Sequence, residues 1–484
     1  MHASIIIKIL GLLLMLFSAL GNVPPLIVSY IYNDGAASAF INSFLIVFAI
    51  GFVLWVLTAR SRKELGNRDG FLIVTLFWAV LGTAGCLPFI FSEAVQLGVT
   101  DAVFESLSGL TTTGATVITG LDELPKSILF YRQQLQWLGG MGIIVLAMAL
   151  LPMLGIGGMQ LYRAESPGPV KDNKLVPRLA ETAKALWYIY LTLTIACATA
   201  YWLVGMDLFD AISHSFTTVA IGGFSTHDLS LGYFDSAAVD TVAIIFMFIA
   251  GINFALHFTA WQRRTIGQYL RDPEFQFYSF ILVSLSLLTV LVLYFSNVYD
   301  SPFESVIKGV FQVVSIATTT GFTTADFSSW PLFLPYMLLY AAIIGACAGS
   351  TGGGMKVIRI LLIFKQGLRE VQRLIHPKAV IPIKLGRNLV PDRVVEAVWG
   401  FFAVYVMVFM VMLLALLATG LDIITAFSAV GACLNNLGPG LENVATTYGY
   451  LPATAKWILC FAMLLGRLEV FTLLVLFTPM FWKR

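Results

Sequence analysis

Long apolar stretches alternate with short polar ones along most of the sequence. The apolar stretches cover residues 4–32, 36–58, 70–92, 129–154, 183–206, 236–262, 275–297, 331–365, 394–419 and 452–482. A helix needs about 20 apolar residues to cross a bilayer, so each stretch is a candidate span. We interpret the first stretch as a retained helix and not as a signal peptide, because it is longer than a signal-peptide core and no small-residue cleavage site follows it.

Four semi-polar segments between the spans are too short, at about a dozen residues, to cross a membrane. They cover residues 101–113, 208–222, 304–320 and 422–437. They align as FESLSGLTTTGAT (104–116), SHSFTTVAIGGFST (213–226), VVSIATTTGFTT (313–324) and SAVGACLNNLGPG (428–440). The aligned glycines are Gly114, Gly223, Gly321 and Gly438. A repeat of about 100 residues therefore predicts four units, each with a span, a short helix, a glycine loop and a second span.

The repeat predicts an all-α integral membrane fold of four pseudo-repeated helix, pore-helix, helix units around a central pore, plus two N-terminal helices. The predicted divisions are an N-terminal helix pair at 1–69 and pore repeats at 70–160, 161–265, 266–375 and 376–484. Irregular backbone at membrane depth is tolerated where it lines a watery path. The C-termini of the short helices favour a cation at the axis, and loop carbonyls can replace its hydration shell. The loops are thus predicted to form an ion selectivity filter.

Composition and charge agree with this prediction. The chain is 58% hydrophobic and 12% charged with a mean hydropathy of +0.86, which excludes a water-soluble protein. Most Lys and Arg residues lie in connections on the side of the N-terminus, so the positive-inside rule places both termini in the cytoplasm. Acidic residues near the starts of the short helices predict an acidic outer mouth that concentrates cations. Among them are Asp101, Glu105, Asp207, Asp210 and Asp422.

The apolar stretch at 331–365 is interrupted by small residues. These are Gly345, Gly349, Ser350, Thr351, Gly352, Gly353 and Gly354. Such a cluster predicts a broken helix, although close helix packing is an alternative interpretation.

Arg467 lies inside the last span, where an arginine costs at least about 2.5 kcal/mol. It is expected either to face a cavity or to form a structural ion pair between helices. The five histidines show no metal-ligand spacing, and His214 is predicted to have a packing role or to tune flux with pH.

The sequence resembles the Trk/Ktr/HKT superfamily of potassium transporters over essentially the whole chain. The resemblance is carried by the filter segments, by the extra N-terminal helix pair, and by the runs GACAGSTGGGMK (345–356) and LLGRLEVFTLLVL (464–476). The resemblance implies that backbone oxygens leading into each filter glycine bind K⁺. These residues are Thr111, Thr112, Thr113 and Gly114; Ala220, Ile221, Gly222 and Gly223; Thr318, Thr319, Thr320 and Gly321; and Asn435, Asn436, Leu437 and Gly438. In plant relatives a serine at the first filter position goes with Na⁺ preference, so the resemblance implies that glycine at all four positions here goes with K⁺. The fourth loop departs most from the common pattern of the family.

The resemblance also implies that the glycine-rich loop and Arg467 gate the pore from below. It implies a homodimer in the bacterial inner membrane, in contact with lipid and bound to a cytosolic ring of TrkA-like nucleotide-binding regulatory subunits. The predicted function is K⁺ uptake through a channel-like route, with K⁺ as the transported ion, no organic cofactor, no nucleic acid and no enzymatic activity. A coupled K⁺/H⁺ symporter and a membrane-embedded lipid-modifying enzyme are the competing interpretations. A symporter would need titratable groups at the midplane, of which the spans offer few.

Overall fold

The computed structural model describes residues 3–60, 67–149, 175–386 and 388–483. Nearly all regular structure there is helical, as the long apolar stretches predict. A two-stranded antiparallel hairpin, β1 (Lys384–Leu385) and β2 (Asn388–Leu389), lies between the third and fourth units.

The N-terminal helix pair consists of α1 (Ala3–Tyr32) and α2 (Ala37–Thr58). The two helices pack closely where two glycines meet: a Cβ atom on Gly11 would lie 2.7 Å from the Gly51 carbonyl oxygen, and the reverse contact has the same distance. Asp34, between the helices, accepts a hydrogen bond of 2.8 Å from the Ser127 N–H. The pair is thereby attached to the second helix of the first unit.

The remaining helices repeat the order of first helix, short pore helix, irregular loop and second helix. The first unit contains α3 (Asn67–Ala84), α4 (Leu87–Phe91), α5 (Val99–Leu110) and α6 (Lys126–Ala149). The second contains α7 (Leu175–Leu203), α8 (Leu208–Ala220), α9 (Ala237–Ala250), α10 (Phe254–Arg263) and α11 (Gly267–Arg271). The third contains α12 (Pro273–Phe295), α13 (Pro302–Ala317), α14 (Leu334–Ile344) and α15 (Val357–Ile375). The fourth contains α16 (Asp392–Leu417), α17 (Ile423–Leu434), α18 (Ala453–Arg467), α19 (Phe471–Leu474) and α20 (Pro479–Trp482). Short 3₁₀ helices cover Leu121–Glu123, Ser230–Phe234, Phe327–Ser329, Glu442–Val444 and Val475–Phe477.

Capping residues define where three of the four pore helices begin. Asp207, Ser301 and Asp422 accept hydrogen bonds from the free backbone N–H groups of the first turns of α8, α13 and α17. The last turn of every pore helix is buried. The pore helices therefore form the centre of the molecule, and each ends at a filter loop.

Six of the ten predicted spans are helical segments long and apolar enough to cross a membrane, at Ala3–Tyr32, Ala37–Thr58, Arg68–Phe91, Ala183–Leu203, Pro273–Phe295 and Asp392–Leu417. Arg68–Phe91 comprises most of α3 followed by α4. Two more are bent pairs, α9 with α10 at 90° and α18 with the helical segment from Phe471 to Phe477 at 107°. The predicted span at 331–365 is α14, an irregular segment and α15, so the predicted break is confirmed. The stretch at 129–154 runs through α6 to Ala149, and its last residues lie outside the described part of the chain.

Candidate ion-conduction site

All four filter loops leave their pore helices through the same backbone turn. The residue before each filter glycine donates its N–H to the carbonyl five residues earlier at 2.8 Å; the pairs are Thr113 to Ser108, Gly222 to Thr217, Thr320 to Ser315 and Leu437 to Ala432. One residue earlier the backbone is left-handed, with φ of 51° at Thr112, 55° at Ile221, 68° at Thr319 and 54° at Asn436. Together these features are a Schellman motif, which ends a helix and reverses the chain. The sequence repeat is therefore a structural repeat.

The four filter glycines meet in a closed ring. A Cβ atom on Gly114 would lie within 3.0 Å of the Gly222 carbonyl oxygen. A Cβ atom on Gly223 would lie within 3.0 Å of the Thr320 carbonyl oxygen. A Cβ atom on Gly321 would lie 3.1 Å from the Gly438 nitrogen, and one on Gly438 would lie 2.6 Å from the Gly114 oxygen. Each loop thus contacts the next, and the fourth contacts the first. Only glycine fits this spacing, because any side chain would displace neighbouring backbone.

The threonine hydroxyls of the first and third loops bond to each other and to their pore helices. Thr111 Oγ1 lies 2.8 Å from Thr113 Oγ1, and Thr318 Oγ1 lies 2.8 Å from Thr320 Oγ1. Thr111 also donates to the Leu107 carbonyl. These four hydroxyls have partners, whereas Thr112 Oγ1 is buried without a hydrogen-bond partner among the described residues.

The fourth loop differs from the other three, as its sequence predicts. Gly114, Gly223 and Gly321 have φ of 83°, 81° and 86°, whereas Gly438, which precedes Pro439, is outside the left-handed region. Asn436 donates its side-chain amide to Thr113 Oγ1 at 3.1 Å and to the Met463 carbonyl at 3.0 Å. The loop is therefore tied to the first loop by a side chain that the others lack.

Buried charges brace the first two loops just after their filter glycines. Glu105 lies 2.8 Å from Arg132 and accepts the Val117 N–H at 2.9 Å. The same arginine donates to the Ser225 carbonyl at 3.0 Å. Glu105 is fully buried, so the expectation that it faces the outer mouth is wrong. It compensates a buried cation, because an unpaired charge there would be costly.

Two further carboxylates expected to make the mouth acidic are also paired. Asp101 bonds to Lys456 at 2.6 Å, and Asp210 to His227 at 3.1 Å. The field of the mouth is therefore weaker than the count of carboxylates suggests.

His227 links two carboxylates beside the second loop. Its ring nitrogens lie 2.5 Å from Asp122 and 3.1 Å from Asp210, and its ring stacks on Tyr233 at 3.5 Å between centroids. Burial lowers the pKa of His227, but the hydrogen bonds to the two aspartates outweigh it and raise that pKa above its usual value. Neighbouring His214 bonds to the Asp210 carbonyl and to Ser225 Oγ, which satisfies both of its ring nitrogens.

The glycine-rich segment at 345–356 lies directly beneath the filter. Gly354 donates its N–H to the Asn435 carbonyl at 3.1 Å, and Gly353 donates to Thr319 Oγ1 at 2.7 Å. A Cβ atom on Gly352 would lie 2.8 Å from the Thr318 carbonyl oxygen. The small residues that break the helix thus allow this intramembrane loop to contact the inner end of the third and fourth filter loops.

The intramembrane loop is anchored to the bend between α9 and α10. Cys347 donates its N–H to the Gly251 carbonyl, and the Phe254 N–H donates to the Gly349 carbonyl, both at 3.0 Å. On the opposite side Glu274 accepts the Ala348 N–H at 2.6 Å. These bonds supply partners for backbone groups that the broken helix leaves free.

Arg467 is the last residue of α18 and contacts the intramembrane loop. Its Nη1 donates to the Thr351 carbonyl at 3.2 Å, while its Nε and Nη2 have no hydrogen-bond partner among the described residues. Its only ring contact there is with Trp78, at 5.8 Å. The alternative of a structural ion pair is not observed for Arg467 in this part of the chain, and Glu469 pairs instead with Arg359 at 2.5 Å.

A cavity of about 80 Å³ adjoins these groups. Its charged lining residues are Lys356, Arg359, Arg467 and Glu469. Three of these four side chains are basic, so the charged lining of the cavity is predominantly positive.

Comparison with known proteins agrees with this geometry. A family model named TrkH and described as a cation transport protein matches residues 36–484. The chain belongs to the TrkH family. It is 59% identical over 483 residues to the Trk system potassium uptake protein TrkH of Salmonella typhimurium, with both chains completely covered. It is 41% identical over 482 residues to the Trk system potassium uptake protein TrkG of Escherichia coli, covering 100% of this chain and 99% of that one.

A solved TrkH structure has the same fold. The crystal structure of the potassium transporter TrkH from Vibrio parahaemolyticus superposes with a TM-score of 0.93 at 56% identity, with 100% of both chains covered. The predicted all-α membrane fold and the predicted family are thus confirmed. This TrkH-family protein is a multi-pass membrane protein and a transporter, not an enzyme.

Proposed function

We propose that this protein takes up K⁺ across the bacterial inner membrane through a channel-like filter made of its four loops. The observation that carries the proposal is the closed ring of glycines, in which four loops share one backbone geometry. Relatives that match the whole chain are named potassium uptake proteins, which favours K⁺ as the ion. The backbone oxygens of the three residues before each filter glycine, and of the glycine, are the proposed ligands.

The intramembrane loop is the proposed gate. In this conformation the Gly354 N–H bonds to the carbonyl of Asn435, one of the proposed innermost ligands. The loop contacts the inner end of the third and fourth filter loops, and in the proposed mechanism it withdraws from this position before an ion passes. Arg467, held against the loop by the Thr351 carbonyl, adds a positive charge that supports closure.

A channel-like route is favoured over coupled K⁺/H⁺ symport. Coupling would need a free titratable group along the path. Among the residues lining the cavity below the filter, the one carboxylate is Glu469, and it is engaged by Arg359.

We propose that the protein works as a homodimer bound to a cytosolic ring of TrkA-like nucleotide-binding subunits, with both termini in the cytoplasm. Large apolar side chains on α15 are exposed and share one helix face, as expected of a contact surface. They are Phe364, Leu368, Val371 and Ile375. The basic connection at 356–393 would provide charge for the same contacts.

The test is uptake of radioactive Rb⁺ into K⁺-loaded proteoliposomes, with Na⁺ added outside as competitor. The proposal predicts uptake that depends on the K⁺ gradient and resists Na⁺. Uptake abolished by equal Na⁺, or carried equally by Na⁺, would contradict a K⁺ filter. Empty liposomes and liposomes with protein denatured before reconstitution provide the baseline.

A further inference from the structure

Two side chains of α6, one turn apart, hold the second filter loop from behind. Gln136 Nε2 donates to the Gly222 carbonyl at 2.6 Å, and Gln136 Oε1 accepts the Phe224 N–H at 3.0 Å. Arg132 donates to the Ser225 carbonyl at 3.0 Å. The two bonds of Gln136 lie on either side of Gly223, so one carboxamide fixes the orientation of both peptide groups that flank the filter glycine.

The fit around Gln136 is tight. A Cβ atom on Gly222 would lie within 3.0 Å of all three terminal atoms of the Gln136 side chain. A Cβ atom on Gly114, in the adjacent loop, would lie 3.6 Å from Gln136 Nε2. Gln136 is fully buried. The carboxamide therefore lies at the junction of the first and second loops, where the two loops approach the axis.

The fourth unit has no such donor. Gly139 in the first unit and Gly466 in the fourth unit are equivalent. A Cβ atom on Gly139 would meet the Leu110 carbonyl oxygen, and one on Gly466 would meet that of Leu434. Leu110 and Leu434 each lie four residues before the filter glycine of their unit. Three residues earlier, Gln136 is then equivalent to Met463. Gln136 supports the loop of the next unit, so Met463 stands behind the first loop in the same way. A thioether cannot donate a hydrogen bond, so the bond from Gln136 distinguishes the second loop from the first.

We propose that Gln136 is a positioning residue that sets the ion preference of the filter by holding the Gly222 carbonyl. Discrimination between cations depends on the distance of the carbonyl oxygens from the axis and on their field strength. A carbonyl that accepts an amide N–H is held in one orientation and shares its electron density. Without that bond the Gly222 peptide is free to move toward a smaller ion. Arg132 supports the same loop further out, at Ser225. The inference rests on the proposed filter function.

The test compares Gln136→Met with Gln134→Met in proteoliposomes. Methionine already occupies the equivalent position in the fourth unit, so it fits behind a filter loop. Gln134 is a buried glutamine on the same helix, but it donates to the Leu20 carbonyl of α1 at 2.6 Å, away from the filter. For each variant the measured quantities are the Rb⁺ uptake rate, the Na⁺ uptake rate and the thermal stability in detergent.

Gln136→Met is expected to lower the ratio of Rb⁺ to Na⁺ uptake by about tenfold, the effect of losing one or two buried hydrogen bonds on one of two competing ions. Gln134→Met is expected to keep the wild-type ratio within about twofold. Its thermal stability should fall about as much as that of Gln136→Met, because it also loses a buried hydrogen bond. A wild-type ratio in Gln136→Met, with or without slower uptake, would overturn the inference, because a merely structural role lowers the amount of active protein and leaves the ratio unchanged.

Gln136→Leu keeps the test decisive if the methionine variant does not fold. Leucine has a similar volume to methionine, carries no charge and cannot donate to the Gly222 carbonyl. The same fall in ratio is expected, and an unchanged ratio would again overturn the inference. Failure of the filter proposal has a different signature, since the wild-type protein would then show no preference for Rb⁺ over Na⁺.

Discussion

Replacing Gly223 by alanine tests the ring of filter glycines most sharply. A Cβ atom there would lie within 3.0 Å of the Thr320 carbonyl oxygen and at 3.1 Å and 3.2 Å from the carbonyl carbons of Thr320 and Gly321. All three are backbone atoms of the third filter loop. They can move only by displacing a proposed ion ligand.

The substitution has two separable costs. The first is conformational, because φ of Gly223 is 81° and a left-handed residue other than glycine costs about 1–2 kcal/mol. The second is the displacement of the Thr320 carbonyl by several tenths of an ångström, which changes the ring itself. A change of about 1.4 kcal/mol in the free energy of an ion in the filter corresponds to a tenfold change in occupancy.

Gly420→Ala is the matched control. Gly420 has φ of 92°, and no atom lies within 4 Å of the position its Cβ would take. It therefore carries the conformational cost without any displacement. Both variants should lose about 1–2 kcal/mol of stability from backbone strain.

The assay is Rb⁺ uptake per amount of folded protein in proteoliposomes, with thermal denaturation in detergent measured on the same preparations. Gly223→Ala is expected to lose at least about tenfold in uptake, whereas Gly420→Ala keeps nearly all of it. Equal uptake by the two variants would refute the reasoning that the second loop contacts the third at the ion pathway.

Three further predictions concern the gate, the cavity and the outer face. Thr319→Val removes the hydroxyl that accepts an N–H from the intramembrane loop, and uptake without a regulatory partner should rise about threefold or more; unchanged uptake would count against that contact as part of the gate. Glu469→Gln leaves the buried charge of Arg359 without its ion partner. The melting temperature of this variant should therefore be lower than that of the double variant Glu469→Gln with Arg359→Met. A double variant with the lower melting temperature would contradict this interpretation. The pKa of His227 is raised in the folded state, so protonation of His227 stabilises the fold. This stabilisation is complete below the unfolded pKa of about 6.5 and is lost as the pH rises through the folded pKa. His227→Asn should therefore flatten this part of the profile of melting temperature against pH, and an unaltered profile would exclude the histidine as its source.

Features carried by local sequence could be predicted. The pore helices end at the glycine loops because the repeat fixes both the helix and its end, and residues Gly345 to Gly354 contain enough small residues to break a helix. The departure of the fourth loop is visible as Asn435, Asn436 and Pro439. These are signals within about a dozen neighbouring residues, the range over which periodicity and turn chemistry are informative.

The contacts that brace the filter could not be predicted in the same way. Gln136 and its partner Gly222 are 86 positions apart, and Asn436 and Thr113 are 323 apart. In the sequence Gln136 is one of three glutamines in RQQLQW, and nothing local says which of them faces the filter. A helical-face argument comes closest, since Arg132 and Gln136 are four residues apart and so share one face.

One wrong expectation and one feature that the sequence does not indicate have the same physical origin. Glu105 was expected at the mouth because its charge lies near the start of a pore helix, but its cation partner comes from α6. The bend between α9 and α10 follows from bonds to the intramembrane loop of another unit, which compensate for the broken helix. In both cases a tertiary partner determines the position of a polar group that local sequence alone leaves undetermined.

The most direct test of a K⁺-selective, channel-like filter is the reversal potential of reconstituted protein under separate gradients of K⁺, Na⁺ and H⁺. The proposal predicts a reversal potential that follows the K⁺ gradient, responds weakly to Na⁺ and does not shift with a pH gradient. A shift with the pH gradient would establish coupling to protons, and equal responses to K⁺ and Na⁺ would contradict selection by the ring of filter carbonyls.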